Sequence, residues 1–254
     1  MIDVVRVLLS VAMLGYASWS DLRTREVADR LWLAFGSLGL TIDLYGVVKG
    51  PMNPLSMTIP ILIATALSFI LGYIGLFGGA DFKAFVVLAL LTPYAPLIVF
   101  PILGVTSVVF PLTVFSNSAL AGASIALVAL IKNLVAARRG MQLFRNHESE
   151  SAWKKFIILI SGMKVNIDAV RGPPFQYPLE CPTEGGIDRK LVLMPDVEDD
   201  EAATKTFQAL RDAGVTEVWV SHTLPFLVFI TFGFISSLLI GDIALWTLTH
   251  IIFR

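Results

Sequence analysis

Two aspartates carry the chemistry this sequence offers. Asp21 stands in "SWSDLRTR", where the first apolar run ends, and Asp81 in "LFGGADFKAF", where one apolar run stops at paired glycines and another starts at once. Two carboxylates held at close range cannot both ionise, so the pair keeps one proton over a broad pH range. Such a pair activates water. The ionised member takes a proton from a water held between them while the protonated member donates to a carbonyl oxygen, the acid–base division that hydrolyses amide bonds. Gly78 and Gly79 have no side chains, so a substrate backbone can approach closely and the turn can take unusual dihedral angles. Each acid also has a plain structural reading: Asp81 suits the N-cap of the helix it opens, and Asp21 suits a juxtamembrane loop beside Arg23 and Arg25. Spacing alone leaves both readings open.

What must position these acids is a membrane. The chain has 254 residues, of which 56% are hydrophobic and 15% charged, against about 25% charged in soluble domains, and its mean hydropathy is +0.76. Six stretches approach the roughly 20 residues a helix needs to cross hydrocarbon: Ile2–Trp19, Leu31–Val48, Leu55–Phe77, Phe82 to about Phe100, about Phe110 to Leu134, and Leu224 to about Ile240. Pro93, Pro96 and Pro101 interrupt the fourth. The first lacks a small-residue cleavage site and reads as a retained span. Arg23, Arg25 and Arg30 after span one and Lys132, Arg138 and Arg139 after span five place those loops in the cytoplasm, with both termini outside. Span three then returns to the side on which span one ended. Asp21 and Asp81 therefore share one membrane depth, and they can meet if spans one and four are neighbours.

The expected organisation is a membrane domain over residues 1–136, a cytoplasmic domain over 137–222, and a sixth helix with a tail over 223–254. The fold class is mainly α, with six transmembrane helices and a small α+β insertion. Most charged residues fall in that insertion. There "SAWKKFIILISGMKV" reads as an amphipathic segment with Trp153, Lys154 and Lys155 at the membrane interface, "KVNIDAV", "KLVLMP" and "VTEVWVS" as strands, and "DDEAATKTFQALRDAG" as a helix.

Other chemistries lack their residues. The balance of 19 basic and 20 acidic residues gives no surface for nucleic acid. His147 precedes Glu148, but no second histidine completes a zinc-binding HExxH. Ser161 in "LISGM" has no glycine two residues before it, so no serine nucleophile segment is present. Asp43 and Asp242, near the outer ends of spans two and six, read as interfacial or structural partners. No metal and no cofactor are expected. A non-enzymatic transporter or assembly scaffold with structural aspartates is the alternative, although the apolar midsections and the lack of repeated halves speak against transport.

"SDLRTREVADRLW" (Ser20–Trp32) and "GGADFK" (Gly78–Lys83) resemble the two catalytic segments of the archaeal type IV prepilin and preflagellin peptidases, membrane aspartyl proteases with a GxGD motif. Gly78 matches the first glycine, Ala80 stands in place of the second, Asp81 matches the aspartate, and Lys83 is similar to a lysine often found there. The resemblance implies Asp21 and Asp81 as catalytic residues. It also implies cleavage of the short basic class III signal peptide from type IV pilin-like or archaellin precursors, just before their hydrophobic helix, at the cytoplasmic face of the bilayer. Glu26 and Asp29 lie where they can attract that basic charge. Bacterial relatives add a cysteine-rich methylating domain; with Cys181 its single cysteine, this chain is expected to act as a peptidase alone.

Overall fold

The computed structural model describes residues 1–50, 53–74, 77–183, 189–197, 199–223 and 225–251. In chain order the elements are α1 (Ile2–Thr24), α2 (Asp29–Lys49), α3 (Pro54–Tyr73), α4 (Gly79–Leu91), α5 (Phe110–Arg138), α6 (Ala152–Ser161), β1 (Gly162–Asn166), β2 (Gln176–Pro178), β3 (Glu180–Pro182), β4 (Arg189–Leu191), α7 (Asp200–Asp212), β5 (Glu217–His222), α8 (Phe226–Leu239) and α9 (Ile243–Ile251). The fold is mainly helical with a small α+β region, as expected. Residues 75, 76 and 224, at the ends of expected spans three and six, and the tail at 252–254 lie outside the described residues.

Among the described residues α1, α2, α3 and α5 are each long and apolar enough to cross a membrane. α8 and α9 qualify only as a pair bent by 57°, and the bend falls at Gly241, whose φ of +103° strains any residue with a Cβ. The expected fourth span stops short. α4 ends at Leu91 rather than near Phe100, because Pro93 has no amide hydrogen to extend it and pushes Thr92 out of the helical region, to φ −136°. Its 13 residues rise only about 20 Å, less than the roughly 30 Å of bilayer hydrocarbon. The helix is apolar on almost every side, as suits one surrounded by neighbours: it packs against α1, α2, α3 and α8.

The chain divides into two compact units, Met1–Gly122 with Pro225–Arg254, and Ala123–Leu224. In the first, Met13, Leu14 and Ala17 of α1 recur at helical spacing and meet Ala84, Phe85 and Leu88 of α4 and Leu227, Ile230 and Phe234 of α8 in one buried core. α1 and α8 are also joined by polar contacts: Ser18 Oγ donates to the Leu227 carbonyl at 2.9 Å and lies 2.6 Å from Thr231 Oγ1, which itself donates to the Leu14 carbonyl.

In the second unit β5 is the centre of an antiparallel sheet with order β1–β5–β2, and β3 pairs with β4. Trp219 of β5 is fully buried, stacked on Phe144. Glu180 is buried beneath it, accepting the Trp219 amide and Arg189 and lying 2.7 Å from His147. β5, α6 and α7 answer to segments read from sequence; of "KVNIDAV" only residues 164–166 are strand, Ile167–Ala169 forming a 3-10 turn, and "KLVLMP" is paired only over its first two residues. β2 and β3 were not foreseen, since Pro178 and Pro182 argue against strands.

Candidate active site

α1 ends three residues after Asp21, and its capping residue Arg25 adopts the left-handed region (φ +60°) and donates its amide to the Asp21 carbonyl at 3.1 Å. The Ser20 and Thr24 hydroxyls both donate to the Glu26 carbonyl, at 2.7 and 3.1 Å, and so fix the turn towards α2. Asp21 is thereby held half-buried on the last full turn of a helix whose core face packs against α4.

Asp81 is the third residue of α4, and its Oδ2 accepts the Gly78 amide at 3.1 Å. The plain capping role is therefore real, but it engages one carboxylate oxygen and leaves the other out of the cap. Phe77 anchors the approach. It is buried, stacks on Phe85 at 5.3 Å, and touches Phe115 and Phe226. Asp21 and Asp81, sixty residues apart in sequence, come close enough for the charge of one to act on the other. α1 ends and α4 begins on the same side of the bundle.

Of the two contributions expected of the glycines, one is seen. Gly78 is extended at φ −73°, a conformation any residue adopts, and Ala80 sits in the first turn of α4, so neither position calls for unusual dihedral angles. Bareness is what they provide: a Cβ placed on Gly79 would meet nothing within 4 Å, which leaves the approach to Asp81 open.

Lys83 and Asp29 form an ion pair at 2.6 Å, with side chains 42% and 71% exposed. The lysine joins the start of α4 to the start of α2, and Asp29 answers it, while Glu26 stands exposed on the loop. At the opposite end of the same three helices lies a contact the sequence reading missed in part. Arg6 of α1 pairs with Asp43 of α2 and donates to the carbonyls of Leu90 and Leu91 at the end of α4. Asp43 is thus a structural partner. The available signal was a single basic residue early in one apolar run and a single acid late in the next.

This geometry coincides with what comparison of the chain with known proteins finds. Residues 8–127, which include both aspartates, match the model of the Type IV leader peptidase family, and residues 154–243 match that of the archaeal Peptidase A24 C-terminus, type II. The chain is thus similar to the type IV leader peptidases over most of its membrane-spanning part. Similar proteins include the preflagellin peptidase of Methanococcus maripaludis (strain C6 / ATCC BAA-1332), 24% identical over 234 residues that cover 89% of this chain and 90% of the relative. The preflagellin peptidase of Methanococcus voltae is 24% identical over 249 residues, 92% of this chain and 94% of the relative. In this chain the first match runs from α1 into α5, and the second from α6 to the first residue of α9.

Proposed function

We propose that the protein is a membrane aspartyl endopeptidase that removes the leader from archaellin or pilin-like precursors. The observation that supports this reading is that Asp21 and Asp81 lie at one end of two adjoining helices, near enough for the charge of one to act on the other, beside a bare glycine turn. The two carboxylates share one proton. The ionised member takes a proton from water, which attacks the scissile carbonyl carbon, and the protonated member donates to the carbonyl oxygen; the second half of the reaction returns a proton to the leaving amine. The dyad titrates as a unit, so acid and base are roles of the pair. α4 serves as the short fourth crossing of six, both termini face outwards, and Asp21, Asp81 and the α+β unit face the cytoplasm, where Glu26 attracts a basic leader.

The test is cleavage of a full-length archaellin or pilin-like precursor by the purified, detergent-solubilised enzyme, with the new N-terminus sequenced. Asp21→Asn and Asp81→Asn are each expected to reduce turnover by at least about a thousandfold, as loss of a group acting in a concerted catalytic unit does, with far-ultraviolet circular dichroism unchanged. Wild-type turnover by either variant would sink the dyad.

A further inference from the structure

α2 and α4 leave a groove of about 560 Å³ between them. Trp32, Gly36 and Leu40 line it from α2, and Phe82, Val86 and Leu90 from α4. These are every fourth residue of each helix, so two ridges run side by side for about 12 Å. The helices press closest at Gly39, where a Cβ would stand 3.0 Å from the Leu90 backbone. One turn earlier, at Gly36, a Cβ would only graze Val87 and Leu90, at 3.6 and 3.8 Å. The groove therefore opens towards the end that carries the aspartates, and Phe82 on its wall is the residue next to Asp81.

Trp32 adds a second observation. It is 5% exposed, and its buried indole N–H has no hydrogen-bond partner among the described residues. A donor left unmade in such a place costs about 1–3 kcal/mol, so an acceptor brought to this wall is well received. A lipid tail fills apolar ridges but brings no acceptor at its hydrocarbon. A helix with an extended segment ahead of it brings both, apolar side chains for the ridges and free carbonyls for the indole. Gly36 permits the close approach by which small residues pair helices in membranes, and exposed Glu26, on the loop before α2, complements basic residues ahead of that helix.

We infer that the α2–α4 groove receives the apolar helix of the precursor, with Trp32 donating its indole N–H to a backbone carbonyl in the extended residues that lead to the scissile bond. This rests on the peptidase reading given above, and it assigns the surface that selects a membrane-anchored substrate.

The experiment compares two substrates of the full-length enzyme in nanodiscs: the whole precursor, and a short soluble peptide that spans the scissile bond without the apolar helix. Gly36→Leu fills the groove and should lower the ratio of kcat/KM on the precursor to kcat/KM on the peptide at least tenfold; an unchanged ratio overturns the groove. Trp32→Phe keeps a ring and drops the donor, and should raise KM for the precursor about two- to tenfold, the value of one net hydrogen bond; an unchanged KM overturns the role of the indole. A photocrosslinker at Leu33, 73% exposed on the groove wall, is read in an Asp21→Asn enzyme and needs no turnover. An adduct with the precursor's apolar helix supports the assignment even where Gly36→Leu does not fold. Adducts with lipid alone, or with a second copy of the chain, overturn it. Failure of the peptidase reading looks different, since the wild-type enzyme would then cleave neither substrate, and failure of the dyad alone would leave both cleaved by Asp21→Asn.

Discussion

Arg6 and Asp43 face each other at 2.5 Å with neither side chain exposed, at the end of the bundle farthest from Asp21 and Asp81. Because Arg6 also holds the last carbonyls of α4, this pair and the Asp29–Lys83 pair at the other end fix the register of the helices that carry the two acids. Removing one partner leaves the other charge buried and uncompensated, which costs about 3–5 kcal/mol. Asp43→Leu alone is expected to destabilise the protein by that order in detergent unfolding experiments and to reduce cleavage. The double variant Arg6→Met with Asp43→Leu should be less destabilised than the single one. Additive losses would show that the two side chains act independently.

Asp81 does two jobs that substitution separates. In Asp81→Asn the side-chain carbonyl still accepts the Gly78 amide, so the helix start is kept and only the ionisable group is lost. Asp81→Ala loses both and should be less stable than Asp81→Asn by about 0.5–2 kcal/mol, the worth of a helix cap. Thermal unfolding of the two variants decides. Equal melting temperatures would mean that the bond seen to Gly78 contributes nothing.

Gly233 of α8 packs against α5. A Cβ there would meet the Ser118 hydroxyl and stand 2.7 Å from the Val114 carbonyl and 2.8 Å from the Ser118 amide, both backbone atoms that cannot swing away. Gly233→Ala should therefore cost about 1–3 kcal/mol as overpacking does. Gly72→Ala in α3, where a Cβ meets nothing within 4 Å, should be neutral or slightly stabilising, since alanine favours helix over glycine. Thermal unfolding in the same detergent measures both.

Tyr177 in β2 has its hydroxyl 2.5 Å from Asp200 Oδ1. Burial, and then the neighbouring Asp200 charge, push its phenol up to about 12. The folded state thus keeps this proton while the unfolded chain releases it near the ordinary value of about 10. The stability that Tyr177 contributes is present in full below pH 10 and is lost as pH rises from 10 to 12. Unfolding followed across that window should show a steeper decline for wild type than for Tyr177→Phe. Parallel slopes would remove Tyr177 as the cause.

The apolar helices α1, α2, α3 and α5 and the small α+β region were legible because each rests on a local signal: a hydrophobic run of spanning length, or a change of composition. The short α4 was legible only as far as Pro93 warned of it. What the sequence could not reveal is pairing across distance. Arg6 finds Asp43 through a helix crossing, not through spacing, and Lys83 finds Asp29 in the same way. The paired Pro178 and Pro182 segments become strands because neighbouring backbone accepts them, against their own preference. Of the two roles read for the glycine turn, special dihedral angles are not used at Gly78, whereas the space left by absent side chains is seen at Gly79.

The contact between α1 and α8 sets an order of events during synthesis. Both acids have left the ribosome once residue 81 has, yet Ser18 and Leu14, on the turns just before Asp21, find their partners only in Leu227 and Thr231. Some 150 residues separate these moments, about 8–30 s at ordinary elongation rates of about 5–20 residues per second. A nascent chain thus carries both aspartates long before it carries the helix that braces α1 beside Asp21, and a truncated product lacking α8 would be born without that brace.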